Sequence, residues 1–175
     1  MKYVRPEQLD AEVELEQVCG FLKDAGIRHW LSGGTMLGIY RDGKFIELDT
    51  DIDIGIRGED VRDIKSVIPW EMWTSKNPPW QTSFSSPRDI PIDLTWFWKD
   101  GDNIINKNTH GTWVKPKDKM ENLTAVYFKG VEYPCADPVW YLEHRYREWK
   151  IRKPKKVMDW LEFAGDFLYR NGSKW

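Results

Sequence analysis

The stretch that decides the fold runs Leu31-Ser32-Gly33-Gly34-Thr35-Met36-Leu37-Gly38, then reaches Arg41, and ends Asp49-Thr50-Asp51-Ile52-Asp53-Ile54-Gly55-Ile56. It begins with a turn of small residues and closes with acidic residues that alternate with isoleucine. Such alternation is typical of a half-buried strand, on which side chains two residues apart point to the same side. The stretch therefore predicts a glycine turn followed by a strand that presents Asp51 and Asp53 together.

The two aspartates of this strand predict a metal site. Like charges on one side of a strand repel each other unless a positive charge lies between them. A hard divalent cation with oxygen ligands suits them, and Mg²⁺, or Mn²⁺ in its place, is the expected ion. Asp93 is a third candidate ligand, because Ile92-Asp93-Leu94 repeats the apolar alternation. Three carboxylates from two adjacent strands suit one or two metal ions and an in-line phosphoryl displacement. Asp49 could cap the strand or join the metal ligands, and a position just outside the ligands is the preferred expectation.

The turn Ser32-Gly33-Gly34-Thr35 predicts a phosphate-binding backbone. It lies between a predicted strand at 27–31 and a short predicted helix at 35–40. Glycines let backbone N–H groups approach a phosphate, and a helix N-terminus adds partial positive charge. The simpler alternatives are a tight turn without a ligand for the glycines and a solvated edge strand for the aspartates. The combination of the turn with Asp-x-Asp about 17 residues later favours the functional interpretation.

Composition limits the class of protein. With 175 residues, 41% hydrophobic and 31% charged, the chain is expected to form one domain with a real core. A net charge of −2 provides no basic field, so nucleic acid is not an expected partner. Two cysteines form no disulfide framework, and no run of about 18 apolar residues exists to span a membrane. No signal peptide is expected either, and the expected location is cytoplasmic.

Histidine, cysteine and tryptophan leave one question open. The three histidines and two cysteines lack the paired spacing of a zinc site, so zinc is not expected. The chain contains 11 tryptophans. Their rings form either ordinary core or, alternatively, a cation–π cage for a quaternary ammonium ligand.

Periodicity and breaker residues predict the order of the elements. Helices are expected at 7–25, 35–40, 58–68, 139–150 and 155–169. Strands are expected at 27–31, 51–56, 81–85, 90–98, 104–105, 112–114, 124–128 and 131–133. Residues 69–80, with three prolines, are expected to be irregular. This order predicts an α+β fold with a small mixed sheet in a single domain 1–175, with a core at about 7–133 and a helical part at about 137–170.

These residues carry a family resemblance. Residues 31–46 together with 49–54 resemble the LicD and fukutin-like family of the nucleotidyltransferase superfamily. Ile92-Asp93-Leu94 matches the place of the family's third acidic residue. Further similarity lies in the C-terminal part, at Pro134, Asp137, Tyr141-Leu142, Tyr146 and Trp149. The chain departs from the family where Glu47-Leu48-Asp49-Thr50-Asp51 replaces a Trp-Asp-Asp-Asp run and where Tyr146-Arg147 replaces a Tyr-Gly pair.

The resemblance implies a fold, an activity and residue roles. The implied fold is a small mixed β-sheet flanked by helices, with further C-terminal helices. The implied activity is transfer of a phospho-alcohol, such as phosphocholine or ribitol phosphate, from a CDP-linked donor to a glycan hydroxyl. Asp51 and Asp53 would bind Mg²⁺, and Asp93 would share the metal or act as general base. The residues expected to bind the donor phosphates are Ser32, Gly33, Gly34, Thr35 and Arg41.

Two other functions remain open at this stage. The chain could transfer a nucleotidyl group from an NTP to a small hydroxylated acceptor. It could also be a non-catalytic member that binds a nucleotide or a glycan. Three clustered carboxylates argue against the second of these, since a binding module has no use for them. For Arg41 the alternative is an ordinary surface arginine.

Overall fold

The computed structural model of the chain describes residues 8–47, 49–75, 80–107, 111–146, 148–152 and 167–169. Its helices are α1 Gln8–Asp24, α2 Gly33–Asp42, α3 Ile64–Val67, α4 Lys117–Glu121 and α5 Pro138–Tyr146, with a 3₁₀ turn at Gly58–Asp60. Its strands are β1 His29–Leu31, β2 Ile52–Arg57, β3 Glu71–Ser75, β4 Gln81–Ser85, β5 Pro91–Asp100, β6 Asn103–Lys107, β7 Gly111–Pro116, β8 Thr124–Phe128, β9 Val131–Cys135 and β10 Phe167–Tyr169.

Eight of these strands form one mixed sheet. Its main order is β1-β2-β5-β6-β7-β10, with β4 also paired to β5 and β3 to β4. The pair β2–β5 is parallel, whereas the other pairs in the sheet are antiparallel. Strands β8 and β9 form a separate hairpin. The α+β class and the mixed sheet are thereby confirmed.

The parallel pair β2–β5 sets the position of the acidic residues. In its register Ile52 lies opposite Ile92 and Asp53 lies opposite Asp93. Because side chains alternate along a strand, both aspartates point to the same face of the sheet. The prediction that the two acidic strands lie next to each other is therefore confirmed.

The apolar residues of β2 and β5 anchor this region in the core. The three isoleucines of β2 and the apolar pair Ile92 and Leu94 of β5 are all fully buried. They belong to the same hydrophobic cluster as the buried face of α1. Each such side chain contributes about 1.5–3 kcal/mol on burial. That burial holds the strand in place while its opposite face carries charge.

The predicted helix 58–68 is wrong as a single element. The chain instead forms the 3₁₀ turn, leaves helical geometry at Val61, and starts α3 after Asp63, whose side chain accepts a hydrogen bond from the N–H of Lys65. A methyl group on Gly58 would lie 2.5 Å from the Trp98 indole, so close packing of the sheet determines this corner. The local sequence pattern cannot predict this contact, because Gly58 and Trp98 are 40 residues apart in sequence.

Two strands and one helix are absent from the sequence-based prediction. Strand β3 lies in the segment expected to be irregular and pairs with β4. Helix α4 is a single short turn between β7 and β8. Strand β10 ends the region predicted as a last helix, and it pairs with β7. Residues 155–166 of that predicted helix lie outside the described residues, but for 167–169 the helix prediction is wrong. The aromatic-rich sequence Phe-Leu-Tyr suits a strand once β7 offers its edge.

The predicted helix 139–150 ends earlier, at Tyr146. The side chain of Asp137 caps this helix, since it accepts a hydrogen bond from the N–H of Trp140 at 2.8 Å. The division into a core and a C-terminal helical part stays a prediction. Among the described residues, every helix is too short or too polar to cross a membrane.

Candidate active site

Three aspartates converge at the start of β2. Asp49 and Asp51 lie in the loop that enters the strand, and Asp53 is its second residue. One carboxylate oxygen from each can be chosen so that all three lie within 4.8 Å of one another. Each residue is partly accessible to solvent. Carboxylate oxygens at this spacing form a ligand set of the kind that hard divalent cations use.

Asp49 thus lies closer to the predicted metal position than the sequence suggested. It was expected just outside the ligands, yet its carboxylate is part of the cluster. It lies in the loop that leads into β2, where the N–H of Asp49 donates to the carbonyl of Ile46 at 2.9 Å. A loop conformation of this kind has no periodic signal in the sequence.

Asp53 is bound to the glycine turn by three hydrogen bonds. The N–H of Gly34 donates to Oδ2 of Asp53 at 2.9 Å. The N–H of Asp53 donates to Oγ1 of Thr35 at 2.8 Å, and the N–H of Ser32 donates to the carbonyl of Asp53 at 3.2 Å. The acidic strand and the N-terminus of α2 are therefore joined directly by backbone and side-chain hydrogen bonds.

The two glycines are required because the carboxylates come so close. A methyl group on Gly33 would lie 2.2 Å from Oδ2 of Asp53, and one on Gly34 would lie 2.0 Å from Oδ2 of Asp49. Gly33 also has φ +49°, which side-chain-bearing residues rarely adopt. Both glycine N–H groups have acceptors within the protein, Tyr141 Oη for Gly33 and Asp53 for Gly34. Their role in binding the donor phosphates stays a prediction. Their steric role is shown by the structure, since the absence of side chains leaves room for the two carboxylates.

The burial and the negative charge of the three aspartates favour binding of a cation. Burial raises the pKa of Asp53 well above its usual range, and the charges of Asp51, Asp49 and Asp93 raise it further. The N–H of Gly34 opposes these effects by stabilising the charged form. The partial positive charge at the N-terminus of α2 acts in the same direction. A divalent cation would remove the remaining repulsion.

Asp93 lies beside the cluster, held by the neighbouring strand β4. The hydroxyl of Ser83 donates to Oδ1 at 2.5 Å, and the amide of Gln81 donates to Oδ2 at 2.9 Å. Burial raises the pKa of Asp93, while these two hydrogen bonds oppose the rise. Among the described residues, the group of oxygens within 4.8 Å contains Asp49, Asp51 and Asp53 without Asp93. The arrangement suits an oriented base better than a ligand of the same ion.

Arg41 points toward the C-terminal part of the chain. Its Nε and Nη2 donate to Asp42 at 3.1 and 2.8 Å, and its Nη1 donates to the carbonyl of Trp149 at 3.2 Å. It sits eight residues after Gly33 on α2, which places it about 12 Å along the helix from the glycine turn. The donor-phosphate role of Arg41 stays a prediction, and these contacts favour a structural role.

Tyr141 is a site residue that the sequence identified only as part of the family-like C-terminal pattern. Its hydroxyl oxygen lies 3.0 Å from the N–H nitrogen of Gly33 and 3.0 Å from Oγ of Ser32. It comes from α5, more than a hundred residues after the turn. The amphipathic spacing of α5 predicts only that this ring faces inward.

The described tryptophans favour packing over a ligand cage. Trp96 stacks on Trp98, and Trp80 contacts Trp98 edge-on. The face of Trp113 carries the guanidinium of Arg145 at 3.6 Å. A cage for a quaternary ammonium ligand therefore stays a prediction without support from these rings.

The fold and the site together define a protein of the nucleotidyltransferase fold. The crystal structure of the lincosamide antibiotic adenylyltransferase LnuA, with lincomycin bound, superposes on 75% of this chain and 83% of that chain. The TM-score is 0.57 at 18% sequence identity, a likeness that shows the fold alone.

The family follows from the sequence comparisons. The profile described as "LicD/FKTN/FKRP, nucleotidyltransferase domain" matches residues 26–136, and the chain belongs to this family. The resemblance to LicD and fukutin-like proteins is thereby confirmed.

Two relatives indicate the extent of the likeness. Mouse ribitol-5-phosphate transferase FKTN is 31% identical over 179 residues, covering 91% of this chain and 38% of the mouse protein. Human ribitol 5-phosphate transferase FKRP is 52% identical over 117 residues, covering 59% of this chain and 23% of the human protein. The chain thus matches less than two fifths of the length of either relative.

Proposed function

We propose that this chain is a Mg²⁺-dependent transferase that moves a phospho-alcohol from a CDP-linked donor to a hydroxyl group of a glycan. The observation that carries the proposal is the cluster of Asp49, Asp51 and Asp53, held against the N-terminus of α2 by the N–H of Gly34. Ribitol 5-phosphate is the first group to test, because the named relatives are ribitol-phosphate transferases. Phosphocholine, the sequence-based expectation, is the second. A cytoplasmic location stays a prediction.

The three clustered aspartates fit a hard divalent cation. They offer oxygen ligands only, and their glycine neighbours leave room for them. Burial raises the pKa of Asp53, and the nearby negative charges raise it further. Asp49, Asp51 and Asp53 would hold Mg²⁺ or Mn²⁺. When bound, the ion stabilises negative charge on a transferring phosphoryl group.

Asp93 would act on the acceptor. In the proposed reaction an acceptor oxygen forms a bond to the phosphorus that carries the alcohol, the bond from that phosphorus to the CMP oxygen breaks, and CMP leaves. The acceptor hydroxyl gives up its proton to a general base, for which we assign Asp93. Ser83 and Gln81 orient its carboxylate, and each oxygen keeps a second lone pair for the incoming hydroxyl.

The N-terminus of α2 would face the donor phosphates. Its partial positive charge favours anions, and the hydroxyl of Ser32 lies at its first turn. Because the N–H groups of Gly33 and Gly34 are used within the protein, the hydroxyl is the group of this turn best suited to a phosphate oxygen.

The test is a comparison of donors on the purified chain. Thermal unfolding is followed with Mg²⁺ and one of CDP-ribitol, CDP-choline, CTP or ATP, and CMP release is measured with a glycan acceptor. A ligand at 100 times its Kd stabilises by about 2.7 kcal/mol, which a thermal shift detects. We expect metal-dependent stabilisation and CMP release with a CDP-alcohol.

Two outcomes would contradict the proposal. Stabilisation by CTP or ATP above that by either CDP-alcohol would favour NTP-dependent nucleotidyl transfer to a small hydroxylated acceptor. Absence of any metal-dependent stabilisation would favour a non-catalytic binding protein. Asp51→Asn is the negative control for CMP release, since it removes one predicted ligand and keeps the size of the side chain.

A further inference from the structure

The hydroxyl of Tyr141 connects helix α5 to the first turn of α2. Its oxygen accepts a hydrogen bond from the N–H of Gly33 at 3.0 Å and lies 3.0 Å from Oγ of Ser32. Tyr141 is 2% exposed, so this contact is shielded from water. The next residue of the turn, Gly34, binds Asp53 through its N–H. One tyrosine oxygen therefore holds the glycine turn to which Asp53 of the acidic cluster is hydrogen-bonded.

The chemistry of a phenol assigns the hydrogens in this contact. A tyrosine hydroxyl has one hydrogen to donate, and its oxygen already accepts from Gly33. Either hydroxyl can donate in the contact between Tyr141 and Ser32, and the Tyr141 hydrogen has a partner when it donates to Oγ of Ser32. The hydrogen of Ser32 is then left to point elsewhere. Ser32 is 9% exposed against 2% for Tyr141, so the serine is the more accessible residue of the pair.

Two cation–π contacts join helix α5 to strand β7, and one of them lies on the ring of Tyr141. Residues 113 and 115 lie on the same face of β7, and residues 141 and 145 lie one turn apart on α5. The ammonium of Lys115 lies 4.6 Å from the ring centre of Tyr141. The guanidinium of Arg145 lies 3.6 Å from the ring centre of Trp113. Each element thus places a cation on an aromatic ring of the other, which aligns α5 on the sheet.

We propose that Tyr141 is a positioning residue for donor binding, which orients the hydroxyl of Ser32 toward a phosphate oxygen of a nucleoside diphosphate donor and fixes the N–H of Gly33. This inference rests on the proposed function, in that it takes the N-terminus of α2 to face the donor. The substrate class is any ligand with a nucleoside diphosphate, so a CDP-alcohol and an NTP both qualify. Tyr141 itself does not touch the donor.

The experiment is a double-mutant cycle of Tyr141→Phe and Ser32→Ala. Phenylalanine keeps the ring under Lys115 and removes only the hydroxyl. We expect each single variant to raise KM for the donor about tenfold, with kcat changed less than threefold, because a lost hydrogen bond to a bound phosphate weakens binding throughout the reaction. The double variant should be no worse than the poorer single variant, since both remove the same interaction.

The matched control is Tyr127→Phe, which removes the hydroxyl of a tyrosine that is 72% exposed. It should leave KM unchanged. If the effects of Tyr141→Phe and Ser32→Ala multiply in the double variant, the two residues act independently and the inference is overturned. An unchanged KM in Tyr141→Phe also overturns it, as does a loss of kcat without a change in KM, since a disturbed fold alone would do that.

A second readout separates this inference from the proposed function. Amide exchange of Gly33 and calorimetric binding of CDP with Mn²⁺ are measured for the wild type and Tyr141→Phe. We expect faster exchange at Gly33 and about tenfold weaker CDP binding in the variant. If the wild type turns over no CDP-alcohol, the proposed function fails, whereas these two measurements still decide the role of Tyr141. Unchanged exchange and unchanged CDP binding would reject it.

Discussion

The N–H of Gly34 donates a hydrogen bond to Oδ2 of Asp53 across 2.9 Å, joining the first turn of α2 to the acidic strand. A methyl group at Gly33 or Gly34 would collide with Asp53 or Asp49. The glycine turn and the aspartates are therefore parts of a single site, in which the absence of side chains on one element makes room for carboxylates from the other.

Replacing Asp53 with asparagine should abolish metal binding without harming the fold. Asparagine keeps an oxygen to accept from Gly34 and removes one of the crowded charges. We expect the Mn²⁺-dependent rise in Tm to disappear and turnover to fall by more than the roughly 10–100-fold typical of residues that only support a ligand. In EDTA the Tm should equal or exceed that of the wild type, because repulsion is relieved.

The matched control for Asp53→Asn is Asp102→Asn, at an exposed position in the turn between β5 and β6. It should keep both the Mn²⁺ response and turnover. A full Mn²⁺ response in Asp53→Asn would show that this carboxylate is not a ligand.

Replacing Gly34 with alanine should weaken the metal site through Asp49. The new methyl group would displace the Asp49 carboxylate, which lies 2.0 Å from its position. We expect Mn²⁺ affinity, measured by calorimetry, to fall about tenfold or more. Gly20→Ala is the control, since Gly20 lies in α1 with nothing within 4 Å of an added methyl group. That change should raise the free energy of unfolding by about 0.5–1 kcal/mol and leave metal affinity alone. Equal metal affinity in both variants would show that Asp49 is not a metal ligand.

Replacing Asp93 with asparagine should separate catalysis from metal binding. Its oxygens are engaged by Ser83 and Gln81 and lie outside the group that can share one ion. We therefore expect Mn²⁺ affinity within about threefold of the wild type and a loss of about 100-fold or more in kcat, in line with the usual contribution of a general base. Loss of Mn²⁺ binding together with kcat would instead assign Asp93 to the metal, the other role that the family resemblance implied.

Replacing Asp42 with asparagine should destabilise the fold in a pH-dependent way. Arg41 donates two hydrogen bonds to this carboxylate, which is 7% exposed, and Arg152 adds a contact of its own. The hydrogen bonds from Arg41 are the main cause that holds the pKa of Asp42 below its usual value of about 3.9, and the contact with Arg152 lowers this pKa further. The stabilisation is therefore fully present above that value and is lost as pH falls through the lower pKa of the folded state.

At pH 7 in EDTA, Asp42→Asn should lower the free energy of unfolding by about 1–3 kcal/mol, as expected for hydrogen bonds to a charged group. Urea unfolding measured from pH 7 down to pH 3 checks this. The difference from the wild type should shrink below about pH 4. A difference independent of pH would mean that the charge of Asp42 contributes nothing.

Local patterns predicted the elements that carry the chemistry. The alternation from Asp51 to Ile56 predicts a strand with its acidic side chains on one face, and the chain forms β2 there. The same pattern around Asp93 predicts β5. Both inferences need only the geometry of a strand and the burial of its isoleucines. The two glycines marked the site as well, although the structure gives them a steric reason that the sequence does not contain.

The sequence by itself determined the acidic strand, the glycine turn and the family. Only the tertiary structure decided that Asp49 joins the cluster, that Arg41 turns away to Asp42, and that Tyr141 reaches the turn from α5. It also decided the pairing of β10 with β7, where a helix was predicted. The physical reason is that local sequence patterns carry information only about residues close together along the chain. Periodicity reports which side of an element a residue occupies, whereas loop conformation, strand pairing and contacts across a hundred residues depend on how the whole chain packs.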